Sequence, residues 1–173
     1  MDHMDYMSWM WHGGGLAKFH KFYQETLKLN VISFPTQTAS PQALGWFKKP
    51  IESLADFKGQ KCRQTGIANE VFTEMGMRAV NMPGAEIMPA AERGTIDCAE
   101  WVGGIEDLRL GLPGVFKYHY TPGMHEPTVV AQLMINTEVW ASLTAPQQEI
   151  IRSAVTDTYV RWWVRWWKQN ADA

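Results

Sequence analysis

Apolar Leu16, Phe19, Tyr23 and Leu27, with polar Lys18, Lys21, Gln24 and Lys28 between them, recur at the spacing of one helical face and predict an amphipathic helix between Gly13 and Asn30. The β-branched run Val31–Phe34 follows as a short strand that Pro35 is expected to stop, since proline cannot donate to a ladder. Gly45–Lys48 reads as another strand before Pro50, and Ser53–Asp56 has the spacing of a capping box, enough for a single turn. From Lys61 the pattern alternates. Strands are predicted at 61–65, 79–82 and 95–99, with helices at 67–75, 86–93 and 106–110, and Gly66, Gly76 and Gly94 punctuate the junctions. Thr128–Ile135 is the longest apolar strand candidate. Thr144-Ala-Pro-Gln147 then opens a last helix running to about Asn170. The alternation argues for an α/β fold with a mostly parallel sheet, whose ligands sit beyond the carboxyl ends of the strands.

At 173 residues, 46% of them apolar, the chain can bury an ordinary core. Its formal charge of -2, with no basic run, argues against nucleic acid as a partner. Charges or prolines interrupt every apolar stretch before it reaches the length of a bilayer span. The amino end, Met1 to His12, is rich in Met and aromatic residues and carries neither a signal-peptide pattern nor a helix start signal. The chain stops just after the last helical pattern, and these ends point to a fragment of something larger. Cys62 and Cys98 lie far apart with no ligand-spaced Cys or His near either, so neither a disulfide framework nor a zinc site can be read from them.

Several chemistries fail on their motifs. Trp11-His-Gly-Gly-Gly15 is similar to a lipase oxyanion loop, but no Gly-x-Ser-x-Gly supplies a nucleophile. Neither glycine-rich phosphate cradle is present, and His125-Glu126 lacks the second histidine of a zinc protease. Arg63 is more informative, because it lies near the carboxyl end of a predicted strand and its planar fork matches a carboxylate. A surface position or a structural ion pair is the plainer alternative. Glu100, between Ala99 and Trp101, is an acid in apolar company and needs either a raised pKa or a cation; Arg63, a metal ion and solvent are all open as partners. Glu126 sits in a proline-bounded loop; carboxylate with amide oxygens suits a sodium- or calcium-type ion, but on the residues alone two solvated loop acids are the favoured reading. In the last helix Ile151, Val155, Tyr159, Trp162, Trp163, Trp166 and Trp167 form a stripe that fits core packing better than a membrane interface.

Taken in order, Trp11–Gly15, Gly45–Lys48, Asp56-Phe-Lys-Gly-Gln-Lys-Cys-Arg63, Pro83–Ile87, Arg93-Gly-Thr-Ile-Asp-Cys-Ala-Glu-Trp-Val-Gly103 and Tyr120-Thr-Pro-Gly-Met-His-Glu-Pro127 make the chain similar to the solute receptors of TRAP transporters, in the branch that binds 2-oxo acids and lactate. The resemblance implies an incomplete two-lobed α/β fold of the periplasmic-binding-protein type. One lobe would comprise about 12–97 and 134–144, part of the other 98–133, and a long inter-lobe helix 145–170. It implies a non-catalytic periplasmic protein that captures a small organic acid, such as pyruvate or lactate, for a membrane permease, and it allows a homodimer. By matching position Arg63 grips the substrate carboxylate, while Gln42, Glu100, Trp101 through its carbonyl, and Glu126 surround a sodium or calcium ion bridging to the acid. Gln42, Trp101 and Glu126 would also meet the substrate. Cys62 stands where an apolar residue is expected. Two rival readings are an enzyme acting on a 2-oxo acid with Glu100 or His125 as general base, and a remnant that binds nothing.

Overall fold

A computed structural model describes residues 3–39 and 41–171. Its elements run α1 (His3–His12), α2 (Gly15–Lys21), β1 (Val31–Ala39), β2 (Gly45–Phe47), β3 (Lys61–Arg63), α3 (Gly66–Glu74), β4 (Arg78–Val80), α4 (Gly84–Glu92), β5 (Cys98–Ala99), α5 (Gly104–Leu110), β6 (Tyr118–Tyr120), β7 (Val129–Asn136), α6 (Thr137–Ser142) and α7 (Ala145–Ala171). A π-helical turn at Phe22–Thr26 extends α2, and 3₁₀ turns occupy Leu54–Phe57 and Leu112–Gly114. The fold is α/β with mixed sheets and a long last helix, consistent with an incomplete two-lobed binding-protein fold. Among the described residues no helix is long and apolar enough to cross a membrane. Backbone contacts divide the chain into two compact units.

The first unit joins the residues up to Thr38 with Val130–Val164. Here β1 pairs with β7 in a two-stranded sheet. Its core is Phe34, Trp140 and Val155, with Leu16, Ile32, Ile135 and Ile151 packed around them. Three sequence expectations change here. The amino end is helical, because Met7 and Met10 recur on one side of α1 and are buried. β1 runs on through Pro35, which a two-stranded sheet tolerates because each strand has an unpaired side on which a proline nitrogen can lie. And α6 intervenes before the last helix, started by Asn136, whose side chain accepts the N–H groups of Glu138 (2.8 Å) and Val139 (3.2 Å). The predicted start of α7 holds: Gln147 reaches back to accept the Thr144 N–H at 2.8 Å. Along α7, Val155, Tyr159 and Trp166 are buried, whereas Trp167 is exposed.

The second unit joins Ala39–Val129 with the residues from Arg165 onward. Its five-stranded sheet has the order β4-β3-β5-β2-β6. The pairs β3–β4 and β3–β5 are parallel, and β2 is antiparallel to both β5 and β6, so the sheet is mixed rather than mostly parallel. Side chains alternate across it. Trp46 and Ala99 join Ile87, Ala90 and Ala91 of α4 on one face, while Phe47, Cys62 and Cys98 join Phe72 of α3 on the other. The predicted 95–99 strand shrinks to two residues because Thr95 closes α4, its N–H and hydroxyl both donating to the Ala90 carbonyl at 2.9 and 2.8 Å. The strand β6 carries no clear alternation and was not predicted.

The two cysteines are also reassigned. Parallel pairing puts Cys62 directly opposite Cys98 with a Cα–Cα distance of 4.5 Å, and the two form a disulfide. The sequence gives no hint of this because the pairing requires β5, rather than only β4, to lie beside β3.

Candidate functional site

The order β4-β3-β5 reverses direction between β3 and β5. This is a topological switch point, where an open α/β sheet leaves a crevice beyond the carboxyl ends of its strands. Arg63 is the last residue of β3 and Glu100 follows β5 directly. Because β2 is antiparallel to β5, its amino end reaches the same edge, with Gln42 just upstream; β6 in turn delivers its carboxyl end there, and the chain beyond it carries Glu126. The backbone knits these arrivals together: Leu44 N–H donates to Tyr120 O (2.8 Å), Gln42 N–H to Glu126 O (3.2 Å) and Gly123 N–H to Gln42 O (3.0 Å). Trp101 follows Glu100, so Arg63, Gln42, Glu100, Trp101 and Glu126, the five residues singled out from the sequence, gather at one end of one sheet.

Arg63 and Glu100 are both buried and form a direct ion pair. No gap separates them, so the expected arrangement of an arginine facing its acids across a space the width of a ligand gives way to contact: a buried guanidinium takes the nearest carboxylate. Arg63 Nη1 also donates to the Glu100 carbonyl (2.9 Å) and Nε to the Met82 carbonyl (3.3 Å). Among the described residues, Nη2 carries no hydrogen bond. Burial pushes the Glu100 carboxyl up to about 7; Arg63 opposes that rise, while the charges of Glu126 and Asp107 add to it. Glu126 has a left-handed backbone (φ 45°), costly for a residue with a Cβ, and its Oε2 accepts Gln42 Nε2 at 2.6 Å. The other amide atom, Gln42 Oε1, is buried without a partner.

Trp101 brings its ring against Arg63. The guanidinium of Arg63 lies 5.2 Å from its ring centroid, and the ring also abuts Gly84, where an added Cβ would overlap the indole. Gly84→Ala is accordingly expected to destabilise the chain by about 1–3 kcal/mol, the usual cost of overpacking, and to alter the near-ultraviolet dichroism of tryptophan. An unchanged urea midpoint would show that the ring has room to move.

His125, the alternative general base, has both ring nitrogens buried without partners, and burial lowers its pKa. It packs edge-on against Phe72 at 5.5 Å, with no nucleophile among its described contacts. Together with Gly66, Ile67, Ala68, Val71, Met124 and Glu126 these two line a largely apolar cavity of about 620 Å³. Glu126 alone of the five converging residues borders it. Sequence reasoning missed Gly84, and it missed Asp107, an acid in the first turn of α5 that ties down the loop after Trp101. The Pro83-Gly84 pair before a helix was visible, but not the ring it faces.

Among the described residues no group of three or more His, Cys, Asp or Glu side chains could hold a metal. Two carboxylates with amide and backbone oxygens are a donor set that suits a hard ion and none of the thiolate- or imidazole-loving metals.

One arginine, two acids and an amide thus gather beyond the strand ends at a switch point, where α/β folds bind small ligands. The chain belongs to the DctP family, bacterial extracellular solute-binding protein family 7, whose pattern it matches over residues 1–173. This is a family of binding proteins and not of enzymes, which removes the reading as a catalyst acting on a 2-oxo acid. The chain is 39% identical over 150 residues to a monocarboxylate 2-oxoacid-binding periplasmic protein of Nostoc sp., covering 87% of this chain and 40% of the relative. A TRAP periplasmic solute-binding protein from Pseudoalteromonas atlantica with bound sodium and pyruvate is 34% identical, with a TM-score of 0.85 over 99% of this chain and 51% of the other. One from Bordetella bronchiseptica, a mixed-occupancy dimer with copurified calcium and picolinate, is 30% identical, with a TM-score of 0.88 over 98% of this chain and 50% of the other. The chain thus spans about half the length, or less, of these relatives.

Proposed function

We propose that the chain is part of a periplasmic receptor that binds a small organic acid carrying an oxygen on the carbon next to its carboxylate, a 2-oxo or 2-hydroxy acid, and delivers it to the membrane permease of a TRAP transporter. The observation that carries this reading is the convergence of Arg63, Glu100, Gln42 and Glu126 at one sheet edge, with Gln42 Oε1 buried and unpaired. Arg63 holds the acid's carboxylate through Nη2, which the ion pair with Glu100 leaves available.

The residues present fit a sodium or calcium ion. An orphaned amide oxygen lacks only a positive partner, and the repulsion between Glu100 and Glu126 would be offset by one. Gln42, Glu100, Glu126 and the Trp101 carbonyl would hold it. When bound, such an ion supplies a positive charge that polarises the second oxygen of the acid. Pyruvate and picolinate, the ligands of the two similar structures, share a carboxylate with a donor atom on the adjacent position, the pattern a bridging cation selects. Arg63, meanwhile, neutralises the carboxylate and, stacked on Trp101, cannot swing away.

Titrating pyruvate calorimetrically into the 173-residue chain tests this. Affinity is expected to fall by about 10-fold or more when sodium and calcium are removed, the equivalent of losing one charge-assisted contact. Binding of equal strength in cation-free buffer would overturn the bridging ion, and no binding in either buffer would overturn the receptor assignment for this chain.

A further inference from the structure

The carboxylate of Asp107, 1% exposed, sits behind the site and touches neither Arg63 nor Gln42. Its Oδ1 accepts the N–H groups of Val102 (3.1 Å) and Gly103 (3.0 Å), and its Oδ2 accepts the indole N–H of Trp46 at 2.8 Å. The Val102 N–H belongs to the same planar trans peptide as the Trp101 carbonyl, and in such a unit the two bonds point in opposite directions. Fastening the N–H to Asp107 therefore fixes the line along which the Trp101 oxygen points, away from α5. The peptide before it is fixed separately, by Arg63 Nη1 on the Glu100 carbonyl.

Asp107 is itself immobilised. Trp46 lies on β2, its ring stacked on His119 of β6 with centroids 4.1 Å apart, and its N–H holds the far oxygen of the carboxylate. Three N–H donors satisfy the buried charge, and among the described residues no cationic side chain pairs with it. The negative charge therefore stays on the N–H side of the peptide, where it draws electron density toward the opposite oxygen and makes that carbonyl a stronger ligand.

We propose that Asp107 is the positioning residue of the site: by anchoring the 101–102 peptide it aims and strengthens the Trp101 carbonyl as a cation ligand. The inference rests on the proposed cation site and adds to it a residue that touches neither ion nor acid. Partners of this kind change metal affinity by roughly 10–100-fold when removed. A merely structural acid at the start of α5 would change stability alone.

The test uses the 173-residue chain with calcium, in the presence of pyruvate, as the titrant. Asp107→Ala is expected to weaken calcium binding by about 10–100-fold. Asp107→Asn, which keeps one acceptor oxygen for the Val102 N–H but loses the charge, recovers part of that loss. In the ion-free chain the carbonyl-carbon resonance of Trp101 and the amide-proton resonance of Val102 shift in the alanine variant and return toward wild type in the asparagine one. If Asp107→Ala fails to fold, Trp46→Phe, which releases only the far carboxylate oxygen, carries the test through the same resonances and a smaller loss of calcium affinity. Wild-type calcium affinity in a folded Asp107→Ala or Trp46→Phe chain overturns this inference and leaves the cation site standing. Absence of calcium binding by the wild-type chain overturns both.

Discussion

Arg63→Ala is expected to lose affinity for a 2-oxo acid by about 10- to 100-fold, the value of one charged hydrogen-bonded contact. It will not leave the fold untouched. Glu100 is 3% exposed and its charge is compensated chiefly by this guanidinium. Removing one partner of a buried pair typically costs about 3–5 kcal/mol, so the alanine variant should also unfold at lower urea. Arg63→Lys separates the two effects. An ammonium still compensates Glu100 and keeps most of the stability, yet it lacks the planar fork and the stacked face on Trp101, so acid affinity should fall while the urea midpoint stays near wild type. Wild-type pyruvate affinity by calorimetry in both variants would remove Arg63 from the site.

The second large effect concerns the bond between β3 and β5. Reducing Cys62–Cys98, or replacing both with serine, releases a crosslink with a sequence separation of 36. Loop closure of that length is worth about 4 kcal/mol in the chain-entropy account. Both sulfurs lie in the core beside Phe47 and Phe72, so serine adds the cost of burying a hydroxyl, and the reduced wild-type chain is the cleaner comparison. A clear drop in urea midpoint on adding reductant, with no free thiol titrating in the denatured oxidised chain, is the expected pair of results. Two reactive thiols before reduction, together with an unshifted midpoint, would show that the cysteines are not joined.

What the sequence discloses and what it withholds divide along the distance over which each feature is decided. Arg63 and Glu100 were legible because each sits beyond a strand whose pattern is local, and the α/β alternation says where strand ends gather. Gln42 and the Trp101 carbonyl came only through family resemblance: a glutamine before a short strand and a backbone oxygen have no signature of their own. The direct pairing of Arg63 with Glu100, the Cys62–Cys98 bond and the role of Asp107 all depend on sheet order, specifically on β5 lying between β3 and an antiparallel β2. No periodicity encodes that order. The proline in β1 and the helix at the amino end were misread for a related reason, since partners distant in the chain outweighed a local rule.

The side chains of Gln42 and Glu126 meet across 84 positions, with the strands that present Arg63 and Glu100 lying between them in the sequence. On the proposed reading, the capacity to recognise a solute consequently belongs to no peptide within the chain. A nascent polypeptide on its way out of the ribosome would hold the guanidinium and one acid long before the strand that brings the last carboxylate, and it would be blind to its solute until that strand docked. Because such non-local closures form late, recognition would switch on near the end of folding, in a single step with the completion of the sheet.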